Sequence, residues 1–492
     1  MGGGKTVSKQ TKRAGRGLGA LLVAGLSILI FSTCDLEVFN PGAITDEALN
    51  DPSLMKVVAA GVANEFNSLP DNLALDILRL TDQAAGNGSY NGTGRLRRGT
   101  LEWDETNGDW AQIHETIWTG LAAWYRMTDL EEYDQTRSKD AARIWLLIGM
   151  AHRMFGENYC QVVYSIGSDF AVPEKGTVKP RTAAFDSAIV SLTKAISLGQ
   201  AAGGSDDVIM AARAGIAQAY VGLNDFASAT QWSTQVPTDF VYSALYNMNS
   251  NSNVVWQETI GRNEVGLFNT YSYNLANGPD PRVPYDICGT FDVPTDPFNS
   301  TVSRTDLCNS ENGADGVTAH VRQTKYPEEG SDIPIAKGTE MRLIEAEAAM
   351  LANNLTDFTA RINDVRSHFG LAAIAAPATV GALEYNNSPT SPFERVLHNA
   401  YDASTGNVGD PGVDAWSILD GERHLTMFGE ARRLWDLHRW DHPFLNGGVV
   451  FWDTEVRRAS CFPLPDDECT LNQEIVGSTL LTGVGSATHT CG

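Results

Sequence analysis

Apolar residues recur at helical spacing through long stretches of the first half of the chain. From Asn50 to Leu69 they fall at Leu54, Val57, Val58, Val62 and Phe66, and from Trp110 to Leu130 at Ile113, Ile117, Leu121, Trp124 and Met127. Asp140 to Phe155 is Ala-rich and carries Trp145, Leu146, Ile148 and Met150; Thr182 to Leu198 places Phe185, Ile189, Leu192 and Ile196 on one face. Each stretch predicts an amphipathic helix. Between the first two lies Gly86-Asn87-Gly88-Ser89-Tyr90-Asn91-Gly92-Thr93-Gly94, whose glycines and asparagines tolerate positive φ and predict a loop.

Two later stretches read as helix pairs. Ala212 to Val236 is Ala-rich, turns at Leu223-Asn224-Asp225 and resumes helix from Phe226. Small Ala217 and Ala219 beside Tyr220, Phe226 and Ala229 resemble a tetratricopeptide unit, in which small residues let two helices approach while aromatics fill between them. Glu340 to Gly370 repeats the arrangement. From Asp239 to Pro334 the texture turns to Tyr, Asn, Pro and Asp with short β-like runs, an irregular insertion. The expected fold is mainly α, with tetratricopeptide-like helical repeats near 182–236 and 340–370 and long irregular loops.

Charge and cysteines add the compartment. Lys5, Lys9, Lys12, Arg13 and Arg16 precede an apolar run from Leu18 to Phe31 and then Ser32-Thr33-Cys34. That run is too short to span a bilayer, which takes roughly 20 residues, but suits a signal-peptide core. A cysteine placed directly after it resembles a bacterial lipobox. Residues 1–33 are therefore expected to be a lipoprotein signal peptide, Cys34 the lipidated first residue of the mature protein, and 34–492 a single body tethered to a membrane. The net charge of −24 argues against nucleic acid as a partner. Six further cysteines, an even number in an exported chain, point to disulfides. Cys288 and Cys308 flank a Pro, Asp and Asn-rich segment and are the first pair expected. Among Cys461, Cys469 and Cys491 a second bridge is expected, with Cys469–Cys491 preferred because it ties down the Gly/Thr-rich tail. No CxxC pair supports a zinc site.

A set of segments then carries a family resemblance. They are "DLEVFNPGAIT" after Cys34, "DPRVPY" (Asp280 to Tyr285), Lys325-Tyr326, Arg342 to Ala348 with Ile362 to Arg366, "GERHLTMFGEARRLWDLHRW" (Gly421 to Trp440) and "CFPLPDDE" (Cys461 to Glu468). In this order they resemble the RagB/SusD family of outer-membrane nutrient-binding lipoproteins, with Ala431 standing where Gly is usual. The resemblance implies a lipid-anchored protein at the bacterial outer membrane, facing the cell surface, that binds an oligosaccharide or peptide. It would act as a lid delivering that ligand to a SusC-like TonB-dependent barrel.

The resemblance implies neither catalysis nor a cofactor. There is no GxSxG, HExxH or Walker loop. Ser191-Leu192-Thr193-Lys194 fits SxxK but lies within a predicted helix, and His438 with His442 lacks a partnering carboxylate motif. Glu422, Arg423, Glu430, Arg432, Arg433 and Asp436 alternate in sign at helical spacing, as expected of ion pairs between packed helices. A helical-repeat scaffold lipoprotein and, behind it, a glycoside hydrolase are the alternatives. A sugar site needs flat aromatic faces and nearby amide, carboxylate or guanidinium groups. Two loop regions offer both: Asp82 to Trp103, with Asp82, Asn87, Tyr90, Asn91, Arg97 and Trp103, and Trp256 to Asn274, with Asn269, Tyr271 and Tyr273.

Overall fold

The computed structural model describes residues 46–164, 175–204, 206–268, 270–272, 280–288, 308, 310–383, 401, 403, 406, 408, 413–446 and 457–491. Cys34 and its leader, Asn269 and Tyr273 lie outside the described residues. The chain divides into Met1–Leu49 and a second compact unit, Asn50–Gly492, which holds every element below.

Helices dominate, as the periodicity predicts. They are α1 (Met55–Leu80), α2 (Asn91–Arg97), α3 (Asn107–Asp129), α4 (Lys139–Asn158), α5 (Thr182–Ala201), α6 (Asp206–Gly222), α7 (Phe226–Ser233) and α8 (Val254–Trp256), which continues as a π-turn over Gln257–Gly261. After the insertion come α9 (Gly338–Leu351), α10 (Leu355–His368), α11 (Ala415–Thr426), α12 (Arg433–Arg439) and α13 (Asp466–Leu471). The strands are short: β1 (Ala85–Gly86), β2 (Gln161–Val163), β3 (Val178–Pro180), β4 (Val241–Ala244), β5 (Val265–Gly266), β6 (Tyr285–Ile287), β7 (Val321–Gln323), β8 (Ile333–Lys337), β9 (Thr479–Leu481) and β10 (Thr488–Thr490). They form antiparallel two-stranded pairs, β1–β5, β2–β3, β4–β8, β6–β7 and β9–β10. No helix among the described residues is long and apolar enough to cross a membrane.

Close packing of α4, α5 and α6 follows from glycines placed a double turn apart. Phe185 of α5 sits between Gly156 and Gly222, where an added Cβ would come within 2.9 and 2.5 Å of its ring. Two turns on, Leu192 sits between Gly149 and Gly215, at 2.5 and 2.8 Å from the corresponding points. Both side chains are fully buried. The α5 knobs thus enter holes that only glycine leaves open on either side, and contacts this tight are sensitive to a single added methyl group. Lys194 of the SxxK sequence has a structural place on the same helix. Its ammonium lies 3.9 Å from the Trp124 ring centroid and 3.8 Å from that of Trp145, a cation–π clamp across three helices.

The two predicted helix pairs share one turn design. Asn224 (φ 58°) precedes Asp225, whose carboxylate accepts the Ser228 N–H at 3.0 Å to cap α7. Asn353 (φ 55°) precedes Asn354, whose side chain accepts the Asp357 N–H at 3.2 Å to cap α10. An asparagine in the left-handed region followed by an Asx cap stops one helix and starts the next within three residues.

The expected pairs Cys288–Cys308 and Cys469–Cys491 form, together with Cys160–Cys461, which spans 301 positions. The last joins the end of α4 to the C-terminal segment, where the Cys160 N–H also bonds the Phe462 carbonyl at 2.9 Å. The Gly/Asn-rich stretch departs from the loop expectation: it contains β1 and α2, because its backbone finds partners in β5 and in its own turn.

Two predictions follow from the packing. In the chain-entropy account, a longer closed loop gives a larger stabilisation. Opening Cys160–Cys461 by paired Ala substitution is expected to cost roughly 5 kcal/mol in denaturant titration, against about 3 kcal/mol for Cys288–Cys308. The second concerns α1 and α3, where Asp109 is buried and shares a hydrogen bond with Asp76, itself paired with Arg79 at 2.8 Å. Burial first, and then the Asp76 charge, push Asp109 well above the usual carboxylate range; burial likewise lifts neighbouring Asp71 to about 6. The folded state therefore holds protons that the unfolded chain releases above about pH 4, and the associated stability is lost as pH rises. Asp109→Asn, which mimics the protonated form, is expected to match the parent's melting temperature at pH 4 and exceed it at pH 8.

Candidate functional site

The segment Gly421 to Trp440 is the electrostatic centre of the molecule. It consists of the end of α11, a turn with Gly429 (φ 66°) and Ala431 (φ 57°), and α12. Ala431 adopts the left-handed conformation in which glycine is usual, a strained choice for an L-residue. Six charged groups of this segment are buried, and each is paired. Arg423 forks onto Asp436 at 2.9 and 2.8 Å, while Arg432 reaches Glu340 at 3.0 and 2.7 Å and also pairs with Glu157. Glu430 accepts from Lys325 and Lys337, each at 2.7 Å. Glu422 joins Arg282, Arg366 and Tyr401, the last two at 2.6 Å each. His442 is a core residue beside Asp420 at 3.5 Å.

Arg433 does the most for the loops. Its guanidinium grips both oxygens of Asp82 at 2.8 and 2.6 Å and also bonds Asp420 at 2.5 Å. Asp82 lies at the root of the loop that leaves α1 and enters β1. Tyr271, at the root of the loop after β5, donates its hydroxyl to Asp420 at 3.3 Å and meets His424 edge-on. The Tyr271 N–H bonds the Asp82 carbonyl at 3.1 Å. Both loops therefore stand on one buried cluster. Asp82 is 4% exposed and Tyr271 1%, which takes both out of reach of a ligand and corrects the expectation that they line the site. They position it instead.

Three segments converge above this floor: 82–93, 258–268 and 310–323. β1 pairs with β5, the Asn87 N–H bonds the Glu264 carbonyl at 2.7 Å, and the Asp315 N–H bonds the Asn87 carbonyl at 2.8 Å. The Leu267 N–H bonds Val321 at 2.7 Å, and the Ala314 N–H bonds Asn263 at 2.9 Å. Asn87 is 1% exposed and lies at the centre of this knot. An added Cβ on Gly266 would come 2.5 Å from its Nδ2, and one on Gly313 would come 2.4 Å from its Cβ. It too is removed from the surface by its burial. Arg97 of α2 donates to the Gly86 carbonyl at 2.9 Å, bracing the same strand. Asn91 opens α2. Trp103 packs edge-on against His489 of the C-terminal hairpin, apart from the knot's hydrogen bonds.

Tyr90 remains at the surface, half exposed. Its ring is covered at 5.4 Å by the Arg262 guanidinium, which also bonds its hydroxyl and, at 2.9 Å, Glu258. Glu264 accepts the Ser89 N–H at 3.0 Å, fixing the approach to Tyr90. On the other side Trp256 donates to the Pro327 carbonyl at 3.0 Å, with its ring edge 3.5 Å from the Cβ point of Gly261. Tyr90 and Arg262 are thus exposed beside Ser89 and Glu258, and partly buried Trp256 lies on the helical turn that leads to Arg262. Arg262 and Trp256 were not singled out by sequence reasoning. A Gly-Arg pair at the end of an aromatic-bearing helical turn was their only local signal.

Residues 316–473 match the model described as the SusD family. The fold is similar to that of a SusD homolog from Bacteroides thetaiotaomicron VPI-5482, with a TM-score of 0.60, 14% identity and coverage of 88% of this chain and 98% of that one. A SusD-like protein from Bacteroides fragilis NCTC 9343 gives a TM-score of 0.60 at 12% identity, covering 88% and 97%. A SusD-like carbohydrate binding protein from Bacteroides vulgatus ATCC 8482 gives 0.52 at 15% identity, covering 83% and 85%. No curated protein matches the chain. The matched segment includes the buried ionic centre from Lys325 to Arg439.

Removing one partner of a buried ion pair leaves the other charge uncompensated, which costs about 3–5 kcal/mol. Asp82→Ala is expected to destabilise by that amount in urea titration. An exposed-site change such as Tyr90→Ala is expected to stay within about 0.5 kcal/mol.

Proposed function

We propose that this chain acts as a SusD/RagB-family nutrient-binding protein, which captures an oligosaccharide at the knot of loops and delivers it to a TonB-dependent barrel. The observation that carries the reading is the exposed Tyr90 ring held by Arg262 on a floor of buried ion pairs. A sugar ring presents an apolar C–H face and a rim of hydroxyls. The Tyr90 and Trp256 rings match the face, while the free edges of Arg262, Glu258 and Ser89 supply donors and acceptors for the rim. A platform already held in place loses little conformational freedom on binding. The carbohydrate binding named for the similar protein from Bacteroides vulgatus agrees with this chemistry.

Delivery and location complete the proposal. Cys34 carries the lipid anchor after removal of residues 1–33, and the body stands at the outer membrane against a SusC-like barrel. No step calls for bond making, because a delivering lid has only to bind and release. The partner and the anchor rest on the resemblance of the leader and of the mature segments to this family.

The test is a glycan array and a peptide library probed with the body from residue 35 onward, followed by titration of the best glycan. Tyr90→Ala and Arg262→Ala are each expected to weaken that glycan about tenfold, or about 1.4 kcal/mol, with melting temperature unchanged. Unchanged affinity in both folded variants, or binding confined to peptides, overturns the sugar platform. Detergent extraction of native membranes is expected to bring down a TonB-dependent barrel in near-equal amount.

A further inference from the structure

A second polar site lies away from the loop knot, where α5 begins. Arg181 occupies the cap position of this 20-residue helix and makes no capping bond through its side chain. Its guanidinium lies 5.2 Å from the centroid of the Trp435 ring. Both of its terminal nitrogens, Nη1 and Nη2, are buried without a hydrogen-bond acceptor. Trp435 is 4% exposed, and its indole Nε1 is likewise buried without an acceptor. His438 stacks on the same indole, with centroids 5.7 Å apart and planes at 20°, and engages Ser460 at 3.0 Å through Nδ1.

Every unsatisfied group here is a donor. Arg181 differs from Arg153, Arg282, Arg366, Arg423, Arg432, Arg433 and Arg439, all of which are buried against carboxylates. For Arg181, burial is the sole influence resolved, and it pushes the group down to about 9; it remains a cation at neutral pH. Burial, and then the Arg181 charge, hold His438 down at about 3, so it is neutral and adds no further charge. The start of α5 contributes the positive end of a helix dipole to the same place. Guanidinium nitrogens and an indole N–H buried without an acceptor, beside a helix N-terminus with no side-chain cap, form an arrangement that is costly unless an anion enters. The cation–π contact with Trp435 offsets only a fraction of that.

We infer that Arg181, the Trp435 indole N–H and the N-terminus of α5 form a binding site for a small anion, a chloride ion or a carboxylate group. The guanidinium takes the anion through Nη1 and Nη2, and the indole donates the third bond. Since the site joins α5 to α12, occupancy ties the helical stack to the ionic centre without involving Tyr90 or Arg262.

The experiment measures the melting temperature of the body from residue 35 onward at constant ionic strength. Methanesulfonate is exchanged in steps for chloride, for acetate or for glucuronate. Above the anion's Kd the parent is expected to gain about 1.5 °C for each tenfold rise in concentration. A response to chloride and acetate alike identifies a general small-anion site. A response confined to acetate and glucuronate identifies a carboxylate site. Arg181→Met is expected to abolish the dependence. Trp435→Phe, which keeps a ring but removes the N–H, is expected to weaken it several-fold and serves if Arg181→Met fails to fold. Bromide-soaked crystals should show anomalous density within hydrogen-bond distance of Arg181. A parent melting temperature indifferent to all three anions overturns the proposal, as does an equal response in a folded variant.

Discussion

Arg433 holding Asp82 and Asp420 together is the constraint on which the candidate site depends. Its three charge-assisted bonds connect residues separated by more than three hundred positions and seal the end of α1 to α11 and α12. The pairing is not a large net source of stability, because desolvating a guanidinium and two carboxylates offsets most of their attraction. What it supplies is specificity. With the charges buried, any arrangement that separates them is expensive, so the loop leaving Asp82 has one permitted root. Tyr271, bonded to the same Asp420, roots the partner loop in the same cluster.

The same logic extends along the segment from Lys325 to Arg439. Glu430 gathers lysines from the insertion and from the strand before α9, Glu422 gathers arginines from the insertion and α10, and Glu340 with Glu157 flanks Arg432. A mainly helical protein with five isolated two-stranded sheets among its described residues has little β-ladder to fix its loops. Buried ion pairs, whose forked geometry carries direction, fill that role. Charged residues at core positions are then expected wherever a long connection must be pinned, and this is where they occur.

The helices were legible because their signal is local. The 3.6-residue period in Met55–Leu80 or Lys139–Asn158, and the Asn–Asx turns of the two helix pairs, depend on neighbours a few positions away. The alternating charges of Gly421–Trp440 also announced ion pairs, although not their partners. The site was less legible. Asp82, Asn87 and Tyr271 have the chemistry of ligand contacts, and only pairings made at long range place them in the interior. Cys160–Cys461 was hidden for the same reason, since nothing near Cys160 specifies a partner 301 positions away. Arg262 was missed because a surface arginine gains its meaning from Tyr90, a residue 172 positions earlier.

Burial divides the two loops into roots and tips, and the two parts tolerate substitution differently. At the roots, Asp82, Asn87 and Tyr271 are each 4% exposed or less and locked into charge or backbone networks. Exchange there is paid for in folding. At the tips, Ser89, Tyr90 and Arg262 are exposed and touch the rest of the chain through few bonds. Substitution at the tips changes which rings and donors face outward while leaving the fold intact. Loop tips that carry few bonds are where sequence can vary while a fold persists, and the fold here is shared with solved structures of only 12% and 14% identity.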